Sequence, residues 1–222
     1  KGQDCEGRDR DAMALPYAQD KVIDAIAQVN KNIVVVIVSG NAVEMPWIEK
    51  VDGVVETWFS GTQTGHALAD ILFGDINPSG KLPMTFAVSY LDIPSSANFP
   101  YYHKNVQRGE WDFLWGGPQR KAKNVDYTEY NEGIYVGYRY FRSAGVPVSY
   151  PFGYGKSYTT FEYSKPVVKA AADGFTATIT VKNTGSVAGK EAVQLYVAAP
   201  AGGLEKPAYE LKGYAKTKEL AP

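Results

Sequence analysis

The stretch Ile33-Val34-Val35-Val36-Ile37-Val38-Ser39-Gly40 decides the fold. It is apolar at every position up to Ser39, so neither face of a strand made from it suits water. Such a strand belongs inside a parallel sheet, covered on both sides by helices. Upstream, Pro16 fits the first turn of a helix, and Val22, Ile23, Ile26 and Val29 recur at helical spacing to give one apolar face. Downstream, Pro46-Trp47-Ile48 opens a short helix, and Gly53 to Phe59 reads as a second strand ended by Ser60-Gly61. Ala67, Leu68, Ile71 and Leu72 then share one face of a second helix, with Gly74 as its stop. Strand, helix, strand, helix in this rhythm predicts an α/β fold with a doubly wound sheet.

The regularity lapses from about residue 92 to residue 131. Prolines and glycines are scattered there among a cluster of rings that includes Phe99, Tyr101, Tyr102, Trp111, Phe113 and Trp115. A loop of this length in a compact chain is functional or disordered, and so many rings speak against disorder. After Pro166 the period changes to two. Phe175, Ala177, Ile179 and Val181 alternate with Thr176, Thr178, Thr180 and Lys182. The turn Asn183-Thr184-Gly185 follows, and Val193, Leu195 and Val197 alternate in their turn. This is antiparallel sandwich material with one buried face. The expected division is residues 1–163 for the α/β part and 164–222 for the β part. The latter is short for a full sandwich, which takes about a hundred residues. Lys1 is not Met, and Glu219-Leu220-Ala221-Pro222 breaks off without turn chemistry, so both ends are expected to be cut and both domains partial.

Composition excludes several classes. The net charge is −1 with no long run of one sign, so neither a nucleic acid nor an anionic membrane finds an electrostatic footprint. The longest apolar run, Ile33 to Val38, cannot cross a bilayer. The single cysteine, Cys5, rules out an intrachain disulfide and leaves the redox compartment open. The two histidines, His66 and His103, make no ordinary zinc site with one cysteine; His66 reads as a structural residue of the second helix. Gly61-Thr62-Gln63-Thr64-Gly65 lacks dinucleotide spacing, and Ser39-Gly40 lacks a nucleophile elbow.

Carboxylate chemistry stays open. Cys5-Glu6-Gly7-Arg8-Asp9-Arg10 packs acids and arginines around a glycine just before Leu15-Pro16. An acid on such a loop can reach into a cleft, with the arginines and Asp9 fixing the loop by bidentate pairing. On these residues alone, a solvated loop with a local ion pair is the plainer account.

The motifs along the whole chain shift that balance. They run from Glu6-Gly7-Arg8-Asp9-Arg10 with Leu15-Pro16, through Val43-Glu44-Met45-Pro46-Trp47 and the stretch from Trp58 to Asp70, to Leu72-Phe73-Gly74-Asp75-Ile76-Asn77-Pro78-Ser79-Gly80-Lys81-Leu82-Pro83. Tyr130 to Tyr140, Phe152 to Phe161 and Asn183-Thr184-Gly185 follow in order. In this the sequence resembles glycoside hydrolase family 3, the β-glucosidase branch, whose catalytic barrel is followed by an α/β sandwich and a fibronectin-type-III-like domain. Lys156 departs from the leucine usual there, and the aromatic segment from Phe99 to Asn124 is longer than in many relatives.

The resemblance implies a partial α/β sandwich followed by a partial fibronectin-III-like β-sandwich. It implies that Glu6 is the general acid/base, with Asp9 and Arg10 as loop supports. The nucleophile would be an aspartate on an N-terminal barrel of the same protein, since no segment here resembles its surroundings. No cofactor and no metal enter, and the substrate would be a β-glucoside or oligosaccharide. A homodimer is compatible with it, and a periplasmic or secreted location is preferred to a cytoplasmic one. Trp111, Phe113 and Trp115 could stack on an aglycone sugar or merely pin their loop. Asp75, Asn77, Glu132 and Arg139 are expected to be structural, and Trp47 and Trp58 to be core. The rival readings are a xylosidase or arabinosidase of the same family, and a non-catalytic carbohydrate-binding module.

Overall fold

The computed structural model describes residues 4, 10, 12–97, 108–111, 118–120 and 130–222. Along the chain these form α1 (Gln19–Val29), β1 (Val34–Ile37), β2 (Gly53–Glu56), α2 (Thr64–Phe73), β3 (Phe86–Ala87), β4 (Arg108–Trp111), β5 (Pro118–Arg120), α3 (Tyr138–Ala144) and β6 (Val148–Tyr150). There follow β7 (Phe161–Tyr163), β8 (Val167–Ala171), β9 (Gly174–Thr178), β10 (Val181–Asn183), β11 (Ala192–Val197) and β12 (Glu210–Lys216). The α/β part is thus followed by antiparallel strand pairs, as the sequence leads one to expect. Two compact units result. One gathers Lys1–Phe59, Met84–Phe152 and Ala198–Tyr209; the other gathers Ser60–Pro83, Gly153–Val197 and Glu210–Pro222.

In the first unit β1 and β2 run parallel, with Val34 opposite Gly53 and Ile37 opposite Glu56. Helix α1 begins later than Pro16 suggests. Tyr17 and Ala18 take left-handed φ values of 56° and 59°, so Pro16 opens only a single 3-10 turn before the α-helix restarts at Gln19. The segment Val43-Glu44-Met45-Pro46-Trp47 explains the core by alternation. Val43, Met45 and Trp47 are buried alongside Phe86, Ala87 and Phe141. Glu44 points the other way, and its Oε1 accepts the Tyr90 N–H at 2.6 Å. Trp47 is fully buried, and its Nε1–H donates to Asp20 Oδ1 on the first turn of α1 at 2.6 Å.

Three expectations are corrected here. The all-apolar strand β1 is not covered on both faces: among the described residues it pairs β2 in a two-stranded sheet, and Val34 is 52% exposed. The apolar face of α1, which the helical spacing gives, is open at Val22, Ile26 and Val29. Trp58 is no core residue. It is half-buried, sits at a left-handed φ of 52° just past β2, and meets the Phe86 ring edge-on at 6.2 Å. The stretch expected to lack regular structure contains the antiparallel pair β4–β5, with Arg108 opposite Arg120 and Trp111 opposite Pro118. That pairing carries an irregularity between its two ends, which breaks the alternation that would have betrayed it.

The second unit is knitted by amides. Asn77 Nδ2 donates to the Ala188 carbonyl at 2.9 Å, while its Oδ1 accepts from Ser157 Oγ and the Tyr158 N–H, each at 2.8 Å. Asn183, in the expected turn, is buried and uses its whole amide. Its Oδ1 accepts from Thr159 Oγ1 and Gly185 N–H, and its Nδ2 donates to the Val187 and Leu220 carbonyls. A buried amide so fully paired specifies one turn geometry. Helix α2 stops where Gly74 adopts φ 85°, the left-handed cap that glycine tolerates. Lys81 Nζ reaches Glu191 Oε2 at 3.2 Å and the Gly155 carbonyl at 2.8 Å. Strands β7–β10, β8–β9 and β11–β12 pair antiparallel, the last with a bulge between Leu195 and Tyr196.

Candidate active site

Open α/β sheets place their working groups beyond the carboxyl ends of the strands, where loops diverge. Here β1 gives way to Ser39-Gly40-Asn41-Ala42 and β2 to Thr57-Trp58-Phe59. The second loop hooks back onto the first strand. Thr57 donates to the Ile37 carbonyl through both its N–H and its Oγ1, each at 3.0 Å. The last residue of β2, Glu56, binds both loops. Its Oε1 accepts the Trp58 N–H at 2.8 Å, and its Oε2 accepts from Ser39 Oγ at 3.1 Å. The buried Ser39 hydroxyl also lies 2.8 Å from the Asn41 carbonyl.

Onto this floor come Asp4 and Arg10. Arg10 Nη2 donates to the Ala42 carbonyl at 2.7 Å, and its Nε lies 3.6 Å from Asp4 Oδ1. Both side chains are close to buried, at 13% and 10% exposure for Arg10 and Asp4. Gly40 lies close under the Phe59 ring, with Asp4 at ordinary contact distance. A Cβ placed on Gly40 would stand 3.4 Å from Asp4 Cβ and 2.9 Å from the Phe59 ring. Asp4 Oδ1 and Arg10 Nη1 are buried without a hydrogen bond among the described residues, so the pair is joined by charge alone.

Glu56 is the titrating group of this floor. Burial pushes its carboxyl above the ordinary 4.5, with the nearby Asp4 charge adding to the rise; the hydrogen bonds from Trp58 and Ser39 oppose it without cancelling it. The folded protein therefore holds the Glu56 proton more tightly than the unfolded chain. Stability falls as pH rises from 4.5 through the raised value, and the cost is fully present above that window. Glu56→Gln keeps an acceptor for the Trp58 N–H and carries no charge. It is expected to melt no lower than the parent at neutral pH and to lose this part of the pH dependence, as thermal melts across a pH series would show.

Of the residues singled out from sequence, Glu6, Asp9, Phe113 and Trp115 lie outside the described residues. Trp111 ends β4. Arg10 donates to the Ala42 carbonyl. Asp4, Ser39, Gly40 and Glu56 were not singled out. The one signal available was an acid closing the apolar run Val54-Val55 at the carboxyl end of a strand. Among the described residues no group of three His, Cys, Asp or Glu gathers as a metal site would need.

Asp4 and Arg10 thus lie against the loops that follow β1 and β2, in an α/β part followed along the chain by antiparallel β strands. Residues 1–138 match the glycosyl hydrolase family 3 C-terminal domain. The chain belongs to glycoside hydrolase family 3. It is 43% identical over 98% of its length to a β-glucosidase of Bacteroides ovatus, of which it covers 27%. With the thermostable β-glucosidase B of Acetivibrio thermocellus the identity is 45% over 95% of the chain and 26% of that protein. Among solved structures, the Kluyveromyces marxianus β-glucosidase in complex with glucose superposes with a TM-score of 0.84 at 36% identity, over 98% of this chain and 24% of that one. The Thermotoga neapolitana β-glucosidase 3B in complex with glycerol gives 0.78 at 39% identity, over 95% and 28%. The chain thus spans about a quarter of the length of the relatives it matches.

Proposed function

We propose that the chain is the C-terminal part of a retaining β-glucosidase that removes terminal non-reducing β-D-glucosyl residues from cello-oligosaccharides or β-glucosides. The observation that carries this reading is the 43% identity, over 98% of the chain, to a protein named a β-glucosidase. Retaining glycosidases hold two carboxyl groups about 5 Å apart. In this reading the nucleophile is an aspartate on the N-terminal barrel of the same protein, and Glu6 is its partner. Glu6 begins protonated and gives its proton to the departing glycosidic oxygen while the aspartate attacks the anomeric carbon. As a carboxylate it then takes a proton from the water that hydrolyses the glycosyl-enzyme, so the β configuration is kept. A neighbouring carboxylate and partial burial keep such an acid protonated at working pH. The division at residues 163/164 and a periplasmic or secreted location belong to the same reading.

The test is hydrolysis by the full-length protein, with the released anomer followed by NMR. β-Glucose as the first product of cellobiose supports the reading. No hydrolysis, α-glucose first, or a preference for aryl β-xylosides or arabinosides overturns it.

Trp111, Phe113 and Trp115 are proposed as an aglycone platform, because flat rings suit the C–H faces of sugars. Replacing Trp111 and Trp115 by alanine is expected to raise KM for cello-oligosaccharides several-fold more than KM for an aryl glucoside. Equal changes on both substrates, or a lowered melting temperature alone, would leave the rings a structural role only.

A further inference from the structure

Strands β11 and β12 pair as an antiparallel hairpin, but the connection between them, Ala198–Tyr209, is far longer than the hairpin needs. Hairpins usually turn in about two to five residues, and a long connection without regular structure calls for a reason. Both strands belong to the second unit, whereas Ala198–Tyr209 belongs to the first, together with α3 and the residues just before it. Side chains of that neighbourhood hold it. The Tyr135 hydroxyl lies 2.9 Å from Glu205 Oε1 and 3.2 Å from the Lys206 carbonyl, sharing its proton between the two acceptors. On α3, Ser143 Oγ accepts the Ala208 N–H at 3.0 Å. The Arg142 guanidinium stands 6.0 Å from the centre of the Tyr209 ring, within reach of a cation–π attraction.

The rest of the connection is loose towards water and tied to itself. Residues 198–206 are exposed, and Pro207 is buried. Lys206 Nζ donates to the Pro200 carbonyl at 3.4 Å, which closes the tip. Gly202 and Gly203 make the bend inside it at φ 113° and 69°, left-handed values that glycine adopts without a steric cost.

We infer that Ala198–Tyr209 is a strap, latched by Tyr135 and Ser143, that opens from α3 and Tyr135 as one piece while β11 and β12 stay paired. A segment with little buried surface and solvent-exposed hydrogen bonds opens well before its domain unfolds, and moving loops and lids are drawn from such segments. The closed tip makes the strap move as a body, so that a hold lost at Glu205 is felt at Ala208.

The test is hydrogen–deuterium exchange of the full-length protein, resolved to single amides, in the parent, Tyr135→Phe and Glu205→Ala. The first variant keeps the ring and removes only the hydroxyl; the second attacks the same latch from the strap. Neither changes a group that binds the Ala208 amide. Exchange at Ala208 is nevertheless expected to quicken about three- to tenfold in both, the usual worth of one exposed hydrogen bond read as an opening equilibrium. Amides within β11 and β12 are expected to keep the parent's rates. Unchanged exchange at Ala208 in both variants overturns the strap, since the two holds then open separately. Quickening by the same factor throughout β11 and β12 overturns it as well, because the hairpin would be opening too. So does an Ala208 amide that exchanges in the parent as fast as in an unstructured peptide, for the strap would then never be shut.

Discussion

Glu6→Gln in the full-length enzyme is expected to lower turnover of cellobiose by about 10²–10⁴, the usual worth of a general acid/base. Glutamine fills the same space and can accept or donate a hydrogen bond, but it cannot release a proton to the glycosidic oxygen. Glucose leaving from cellobiose is a poor leaving group and needs that proton. A dinitrophenolate does not, so the glycosylation step with that substrate should keep most of its rate. The second step would then become limiting, because water has lost its base and the glycosyl-enzyme accumulates. Azide needs no deprotonation to attack. Added azide should restore part of the rate and yield β-glucosyl azide, whose configuration reports double displacement. Near-normal turnover of cellobiose would remove Glu6 from the mechanism.

Trp47→Ala is expected to be the most damaging single change to stability, at about 4 kcal/mol. The indole is fully buried. Removing it leaves a large cavity, because core neighbours relax only in part. It also strands Asp20, which accepts the indole N–H at 2.6 Å. The melting temperature should fall by several degrees, as a thermal melt would show. Trp47→Phe restores most of the volume and loses only the hydrogen bond, and should cost about 1–2 kcal/mol. If the two variants melt alike, cavity formation is not the cause. If Trp47→Ala melts with the parent, the indole does not hold the core.

Wherever one local rule decides, the sequence is legible. Gly74 ends α2 because only a left-handed residue closes that turn cheaply. The alternation of Val43, Met45 and Trp47 against Glu44 foretells which of them are buried. Period two after Pro166 yields the antiparallel pairs. Legibility ends where a distant partner decides. Val34 looks like a residue covered on both faces, but burial depends on what lies beside the strand, and among the described residues β1 pairs with β2. Tyr17, Ala18 and Trp58 adopt left-handed backbones that their side chains do not advertise. In the candidate site, Glu6 stands out through a motif, whereas the contacts among the described residues do not. Ser39 and Glu56 are separated by 17 residues, and Arg10 and Ala42 by 32. No spacing rule links such pairs, and only the folded chain shows that they meet.

The amide of Asn77 has a consequence for the order in which the protein is made. Its acceptor on Ala188 is synthesised 111 residues later, a delay of roughly 6–22 s at translation rates of about 5–20 residues per second. During that interval the Asn77 amide must wait without its acceptor. Strands β1 and β2 lie close in sequence, so they can pair while the ribosome is still making the rest. The second unit closes only after β12 has left the exit tunnel. While this part of the chain is made, it therefore carries one set of early local pairings and a long open segment that chaperones can reach.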